Sequence, residues 1–410
     1  PHPEDLPMIR LSTAFLGAAC VALLAVAPAR AQAPAPVAVP APAPVAAQPV
    51  PPAPTLSARS WVLMDQATGQ VLASKDPELR VEPASITKVM TSYVVSSELA
   101  HGKVKLDDAV FISEHAWRGG GAGTDGSTSF LPVNQTVPLK DLLYGMVIQS
   151  GNDASIALAE HVGGSEPTFA QLMNEYAAKI GLTGTHYVNS HGLSAPEHHT
   201  TALDVARLSR ALISDFPEDY RVYAIKEFTF NDITQHNRNT LLWRDPSVDG
   251  IKTGHHSGAG YCLAASALRD GMRLIAVVMG ASGEKVRADE AQALLNYGFR
   301  FYETHTLYAA GATVASPELW KGEAETATLG VASDARITIP RGAYPRLQAS
   351  MNVTKPLLAP LAKGAVVGNL AVALDGKPLI EVPLVALADY PEGGFFKRLG
   401  DAAWLWWSSD

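Results

Sequence analysis

Cysteine is nearly absent from this chain: its 410 residues hold two, Cys20 and Cys262. Neither a disulfide framework nor a thiolate metal cluster can be built from that number. Cys20 falls inside an N-terminal apolar run, and without that run Cys262 is alone among apolar neighbours in "GAGYCLAASAL", where it reads as an inert core residue. An excess of positive charge is also missing, because 32 Lys and Arg face 40 Asp and Glu, a formal net charge of -8. That argues against a nucleic-acid partner, which requires a basic face. The histidines show no HExxH spacing: His198 and His199 are adjacent, while His191, His255 and His256 are scattered, so no metal site is expected. The acidic residues supply no pair spaced for a two-carboxylate mechanism. The glycines at 119–121 and 123 lack the Gly-Lys-Ser/Thr ending of a phosphate loop and read as a flexible rim. No cofactor is expected.

One long apolar run stands near the start of the chain. After Met8-Ile9-Arg10 comes "LSTAFLGAACVALLAVAPA", then the small-x-small pattern Ala31-Gln32-Ala33, so residues 8–33 read as a secretory signal peptide. As a retained anchor the stretch is borderline against the roughly 20 apolar residues a spanning helix needs, and it ends on proline. Residues 34–54 are almost wholly Pro, Ala and Val, a composition that favours extended conformers, and form a linker.

The remaining chain alternates between two kinds of pattern. "SARSWVLMDQATGQVLASKDP" alternates and turns at Ala67-Thr68-Gly69, which predicts a hairpin opening a sheet. From Ile86 to Leu99 apolar residues recur at helical spacing, and Pro83 suits the start. Further helices are expected in "PLKDLLYGMVIQSGNDASIALAEHVGG", interrupted at Ser150-Gly151-Asn152, in "PTFAQLMNEYAAKIG" and in "TALDVARLSRALISDF". Two strand-like runs then meet at Arg269-Asp270-Gly271, and "RADEAQALLNYGFRFYE" closes the unit with a helix. This order predicts an α+β domain over 55–303, an antiparallel sheet with helices and a helical subdomain. Residues 304–388, with short Val, Ala and Leu runs between Gly and Pro, predict a small all-β domain.

The tail, 391–410, is different. On a helix, Phe395, Phe396, Leu399, Ala402, Ala403, Trp406 and Trp407 share a face, with Lys397 and Asp401 opposite and Leu405 off the pattern. Such a face needs a cover. A membrane surface suits tryptophan there; docking on the protein's own surface is the alternative.

One stretch suggests chemistry. In "EPASITKVMTSYVV", Ser85 and Lys88 are three apart, close enough on a helix for a hydrogen bond. A serine hydroxyl becomes a nucleophile only when a base takes its proton, and a lysine serves only with its pKa lowered by burial or cationic neighbours. Ser-x-x-Lys alone is common. Ser150-Gly151-Asn152 adds a hydroxyl and an amide to relay a proton and orient substrate. Lys252-Thr253-Gly254, placed just before a strand, adds a cation to keep Lys88 neutral, a donor for a substrate carboxylate, and a glycine that lets an extended substrate approach. Each is a common turn or loop singly, but the ordered trio marks penicillin-recognising serine enzymes.

With its flanks "VIQSGNDAS", "NSHGLSAPEHHTTALD", "FTFNDITQHNRNTLLW", "VDGIKTGHHSGAGYCLAAS" and "YGFRFYET", the chain resembles the low-molecular-mass penicillin-binding proteins that are serine-type D-Ala-D-Ala carboxypeptidases, the peptidase S11 family. The resemblance implies the penicillin-binding protein/β-lactamase-like transpeptidase fold, followed by the small β domain and the amphipathic tail. It implies that Ser85 is acylated, that Lys88 is its base, and that Ser150 and Asn152 relay protons and orient substrate. Lys252, Thr253, Gly254 and the strand near His256 line the substrate, and Arg287 matches the arginine that meets its carboxylate. The implied partners are peptidoglycan stem peptides, β-lactams as covalent inhibitors, and a membrane surface at the outer face of the inner membrane. The glycine-rich loop lacks the arginine-methionine pair often found before Phe130, and His255-His256 stands where many relatives carry a threonine. A D,D-endopeptidase or β-lactamase shares the three motifs, and a non-catalytic peptidoglycan-binding protein is the remaining alternative.

Overall fold

The computed structural model describes residues 49–120 and 126–407. The expected signal peptide, the linker up to residue 48, five residues of the glycine-rich loop and the last three residues lie outside the described residues. Packing begins early in the described chain: Val50, Ala53 and Leu56 lie against the core, and Pro51 O accepts a hydrogen bond from Tyr297.

The sheet starts with β1 (Ser60–Asp65) and β2 (Val71–Lys75), joined through the expected turn. Asp65 Oδ1 accepts from the Thr68 amide at 2.8 Å, which tightens that turn. α1 (Thr87–Ala100) follows a 3₁₀ turn at Ala84–Ile86, so Ser85 stands one turn ahead of the helix that carries Lys88. α2 (Leu139–Tyr144), α3 (Asn152–Gly163), α4 (Glu166–Ile180) and α5 (Ala202–Asp215) pack round α1, which is buried on all sides and therefore shows little amphipathic bias. The chain then forms β3 (Val248–His256), β4 (Gly260–Arg269) and β5 (Met272–Ala281), before α6 (Glu284–Phe301).

The five strands run antiparallel in the order β2-β1-β5-β4-β3. Period-two alternation divides their side chains. Val62, Met64, Ala264, Ile275 and Val277 face the helical block, while Trp61, Leu63, Leu263, Leu274 and Val278 face α6. Covering both faces explains why β4 and β5 read as nearly continuous apolar runs. β3 is left at the edge, its outer side against the turn that holds Ser85. Lys252-Thr253-Gly254 therefore lies within a strand and not before one: its residues pair with Ala264, Leu263 and Cys262 of β4.

The all-β part of the chain holds β6 (Tyr302–Tyr308), β7 (Thr313–Ala315), β8 (Leu329–Val331), β9 (Ala335–Pro340), β10 (Leu347–Val353), β11 (Val366–Leu374) and β12 (Lys377–Ala386). β6 pairs with β9, and the others form a sheet in the order β7-β8-β12-β11-β10. A partly buried clasp joins the two domains. Asp65 Oδ2 accepts from Thr304 Oγ1 at 2.7 Å, Asp65 Oδ1 accepts from Thr68 Oγ1 at 2.8 Å, and Thr68 and Thr338 share a hydrogen bond of 2.9 Å.

The tail forms α7 (Phe395–Trp407). Its polar side faces the β domain, where Asp401 Oδ2 accepts from the Lys321 amide at 2.6 Å and Arg398 pairs with Glu392. Leu405, off the helical pattern, lies four residues after Asp401 and is half-buried on that side. Phe396 is 86% and Trp406 79% exposed, so the protein's own surface does not cover this face. Among the described residues no helix is long and apolar enough to cross a membrane.

Candidate active site

Three pieces of chain meet where β3 passes the nucleophile turn. Ala84, just before Ser85, has φ +47°, a left-handed conformation that an alanine adopts only under constraint from its surroundings. Gly254 permits the approach of β3: a Cβ there would stand 3.0 Å from Pro83 O and 3.2 Å from Ala84 Cβ. On the other side, α2 runs into a π-type turn over Gly145–Gln149, and Ser150 follows with φ +66°. That widened turn ends the helix and puts Ser150 and Asn152 on the cavity wall.

Lys88 is fully buried. Its Nζ lies 3.0 Å from Ser85 Oγ, 2.6 Å from Asn152 Oδ1 and 2.8 Å from the main-chain oxygen of His191. Burial and then the charge of Arg238 lower its pKa to about 7, while Asp153 and Glu166 oppose them. The drop is worth about 5 kcal/mol in favour of the neutral amine. A neutral amine has two protons and one lone pair. Donating to Asn152 and His191 leaves the lone pair for the proton of Ser85.

Lys252 is buried too, and its Nζ donates to Thr253 O at 3.3 Å. It was expected to supply the cationic field on Lys88. Its own pKa is pushed well below the usual lysine value by burial and by Lys88, Arg238 and Arg287. Arg238 is the cation that presses on both lysines. It stands in a turn held by its neighbours: Asn237 Oδ1 accepts from the Asn239 amide at 3.0 Å, and Asn239 Nδ2 donates to Gly250 O at 2.9 Å.

One cavity of about 690 Å³ is lined by Ser85, Ser150, Asn152, Arg238, Thr253, Gly254, His256 and Arg287, while Lys88 and Lys252 are buried and are not part of its lining. Arg287, from the first turn of α6, donates to Gly254 O at 3.3 Å and to Glu284 at 3.0 Å, and its guanidinium lies 5.5 Å from the centre of the Tyr261 ring. With Arg238 and Thr253 it makes the end of the cavity beyond β3 suited to a carboxylate. His256 Nδ1 accepts from the Gly258 and Ala259 amides, both at 3.2 Å, and so shapes the turn out of β3. His255 stacks on Tyr261, ring centres 3.9 Å apart. Sequence reasoning missed Arg238, Tyr261 and the His191 carbonyl. No spacing rule flags a single arginine in a polar stretch or a main-chain oxygen.

His198 has a structural role. His198 bonds Thr87 Oγ1 at 2.8 Å and accepts from the Val188 amide at 2.9 Å. Among the described residues no group of His, Cys, Asp and Glu is arranged to hold a metal ion. Cys262 is buried on β4 beneath Gly254, and burial raises its pKa, which keeps it an unreactive thiol.

The profile of the peptidase S11 family, D-alanyl-D-alanine carboxypeptidase, matches residues 46–283, and that of the penicillin-binding protein 5 C-terminal domain matches 302–392. The chain is 47% identical to the D-alanyl-D-alanine carboxypeptidase DacC of Escherichia coli K12 over 352 residues, covering 85% of this chain and 88% of that one. It is 44% identical to DacA of the same organism over 355 residues, covering 86% and 88%. Among solved structures, penicillin-binding protein 5 from Haemophilus influenzae superposes with a TM-score of 0.79 at 43% identity, covering 83% of this chain and 99% of that one. The Streptomyces K15 DD-transpeptidase, at 29% identity and a TM-score of 0.57, covers 60% of this chain.

Proposed function

The chain belongs to the peptidase S11 family of D-alanyl-D-alanine carboxypeptidases, and on that footing we propose that it removes the terminal D-alanine from peptidoglycan stem pentapeptides through an acyl-enzyme on Ser85. The observation that carries this reading is the bonding of Lys88: a buried amine whose protons go to Asn152 and His191 and whose lone pair is left for Ser85.

Ser85 Oγ attacks the carbonyl of the penultimate D-alanine as its proton passes to Lys88. The developing oxyanion takes the main-chain N–H of Ser85 and one from the end of β3 near His256. Thr253, Arg238 and Arg287 hold the terminal carboxylate, while Gly254 leaves room for an extended peptide along the edge strand. D-Alanine departs with a proton delivered through Lys88 or Ser150, and water then hydrolyses the ester. A β-lactam follows the same path, its amide bond opening as the Ser85 ester forms, and remains there as a covalent inhibitor.

The reading extends to location. Residues 8–33 act as an export signal and 34–54 as a linker, 55–303 are the catalytic domain, and 304–388 are the small β domain. The tail 391–410 lies in the outer surface of the inner membrane, holding the periplasmic enzyme near its polymeric substrate. The exposed apolar face of α7 supports this.

The test is release of D-alanine from a linear pentapeptide ending in D-Ala-D-Ala, alongside Ser85→Ala. Release that vanishes in the variant supports the reaction and the nucleophile together. No release, with a β-lactam still labelling Ser85, moves the assignment to an endopeptidase acting on cross-linked peptides. No labelling either leaves a peptidoglycan-binding protein.

A further inference from the structure

Beside Lys88, the turn 189–193, whose residues His191, Gly192 and Leu193 line the cavity, is pinned at several points. Ser190 O accepts from Thr91 Oγ1 of α1 and from Ser155 Oγ of α3, both at 2.6 Å. Asn189 Oδ1 accepts from the Gly192 amide at 2.7 Å. One carboxylate completes the set: Glu166 Oε1, at the start of α4, accepts from the Ser190 amide at 3.0 Å and from Ser190 Oγ at 2.7 Å. The next residue, His191, presents its main-chain oxygen to Lys88 Nζ. Its ring faces the other way. Nδ1 accepts from the Leu193 amide at 3.1 Å, so the ring proton sits on Nε2, which lies 3.5 Å from Glu166 Oε1.

We infer that Glu166 is a positioning residue for the catalytic base: its carboxylate holds the Ser190-His191 turn whose carbonyl receives Lys88 and places a negative charge behind that turn. The inference rests on Lys88 being the base. Spacing gave no hint of it, since Glu166 lies 78 residues from Lys88 in the chain.

The groups facing Lys88 are few. Asp153 approaches from α3, Glu166 from α4, Arg238 from the 237–239 turn and Lys252 from β3. His191 is held neutral by burial and by Lys88 itself. Of the two anions, Asp153 is spent on the amides of Ser129, Leu131 and Ala154 and the hydroxyl of Thr128. Glu166 is the one tied to the turn that touches Lys88. Its charge favours the protonated amine, so neutralising it makes Lys88 easier to deprotonate.

The experiment is the pH dependence of kcat/KM for D-alanine release in wild type, Glu166→Gln and Ser190→Ala, with thermal unfolding measured in parallel. In Glu166→Gln the rate falls and the acid limb moves to lower pH by about half a unit. Ser190→Ala keeps the charge and loses one hydrogen bond, so its rate falls with the limb unmoved. A Glu166→Gln limb that coincides with wild type, or moves no further than that of Ser190→Ala, overturns the inference. Should Glu166→Gln fail to fold, Glu166→Asp withdraws the charge by one methylene, and its limb must move the same way by less; an unmoved limb again overturns it. A wild-type profile without any acid limb would instead sink the assignment of Lys88 as base.

Discussion

Lys88 Nζ lies nearer to Asn152 Oδ1, at 2.6 Å, than to the hydroxyl of Ser85, at 3.0 Å. The amide oxygen accepts a hydrogen bond and has no proton to donate, so it directs the lysine lone pair without competing for it. Asn152→Asp puts a carboxylate in the same place and favours the ammonium. The acid limb of kcat/KM should move to higher pH, with activity at pH 7 down by about 100-fold or more. A steady-state pH profile checks this; an unchanged profile would mean that the amide does not govern the base.

With Lys88 as the proposed base, its lowered pKa makes the deprotonated enzyme the active form. The rate of Ser85 acylation by a β-lactam should therefore rise about tenfold per pH unit below 7 and level off above it. Stability follows the same proton. Because the folded pKa is depressed below the unfolded 10.5, the unfolded chain binds the extra proton between about 7 and 10.5, and this group's contribution to stability increases with pH across that window. Stopped-flow acylation measures the first effect, and denaturant titrations at two pH values the second.

The proposed reaction gives Arg238 two tasks that one substitution separates from those of Arg287. Arg238→Gln removes the cation pressing on Lys88 and one contact for the substrate carboxylate, so KM should rise and the acid limb should shift upward, lowering kcat/KM by about 10- to 100-fold. Arg287→Gln should raise KM with a smaller displacement of the limb, since Arg287 is not among the main charges acting on Lys88. Equal displacement in the two variants would contradict this division.

Gly192 sits at φ +93°, and a Cβ there would fall 1.9 Å from Ala84 O. Gly192→Ala should therefore push the turn that receives Lys88 away from the turn that holds Ser85. A loss of about 2–3 kcal/mol in unfolding free energy is expected, with acylation slowed more than substrate binding. Chemical denaturation and β-lactam labelling read the two effects.

Removing residues 391–410 should leave hydrolysis of soluble pentapeptide within about twofold while abolishing co-sedimentation with anionic vesicles. The catalytic cavity and α7 share no lining residue. Retained vesicle binding would assign the membrane contact to another surface.

What was legible in the sequence follows physical range. The β1-β2 turn, α1 and the β4-β5 turn are set by near neighbours, and period and turn chemistry found them. Ser85 and Lys88 are one helical turn apart, so their pairing was also a local fact. The unread parts depend on contacts far apart in the chain. Lys252-Thr253-Gly254 contains glycine and lysine, which are unusual in a strand interior, yet it is held there by pairing with β4 and by the nucleophile turn against its edge. Glu166, Asp153 and Asp204 are buried acids, and burial is invisible until the helices that cover them are placed. Leu405 broke the amphipathic pattern of the tail only as long as the β domain beside it was unknown.

The aspartate-threonine clasp at Asp65, Thr68, Thr304 and Thr338 bears on how the enzyme searches its substrate. A hinge at that point would let the active site sweep a broad volume, at the expense of time spent at any one depth. A bolted joint, followed at the far end by the bond from the Lys321 amide to Asp401, would make the second domain behave as a mast. Were α7 seated in a membrane as proposed, the cavity would then patrol a thin layer of the wall at one altitude, free to drift sideways but unable to climb.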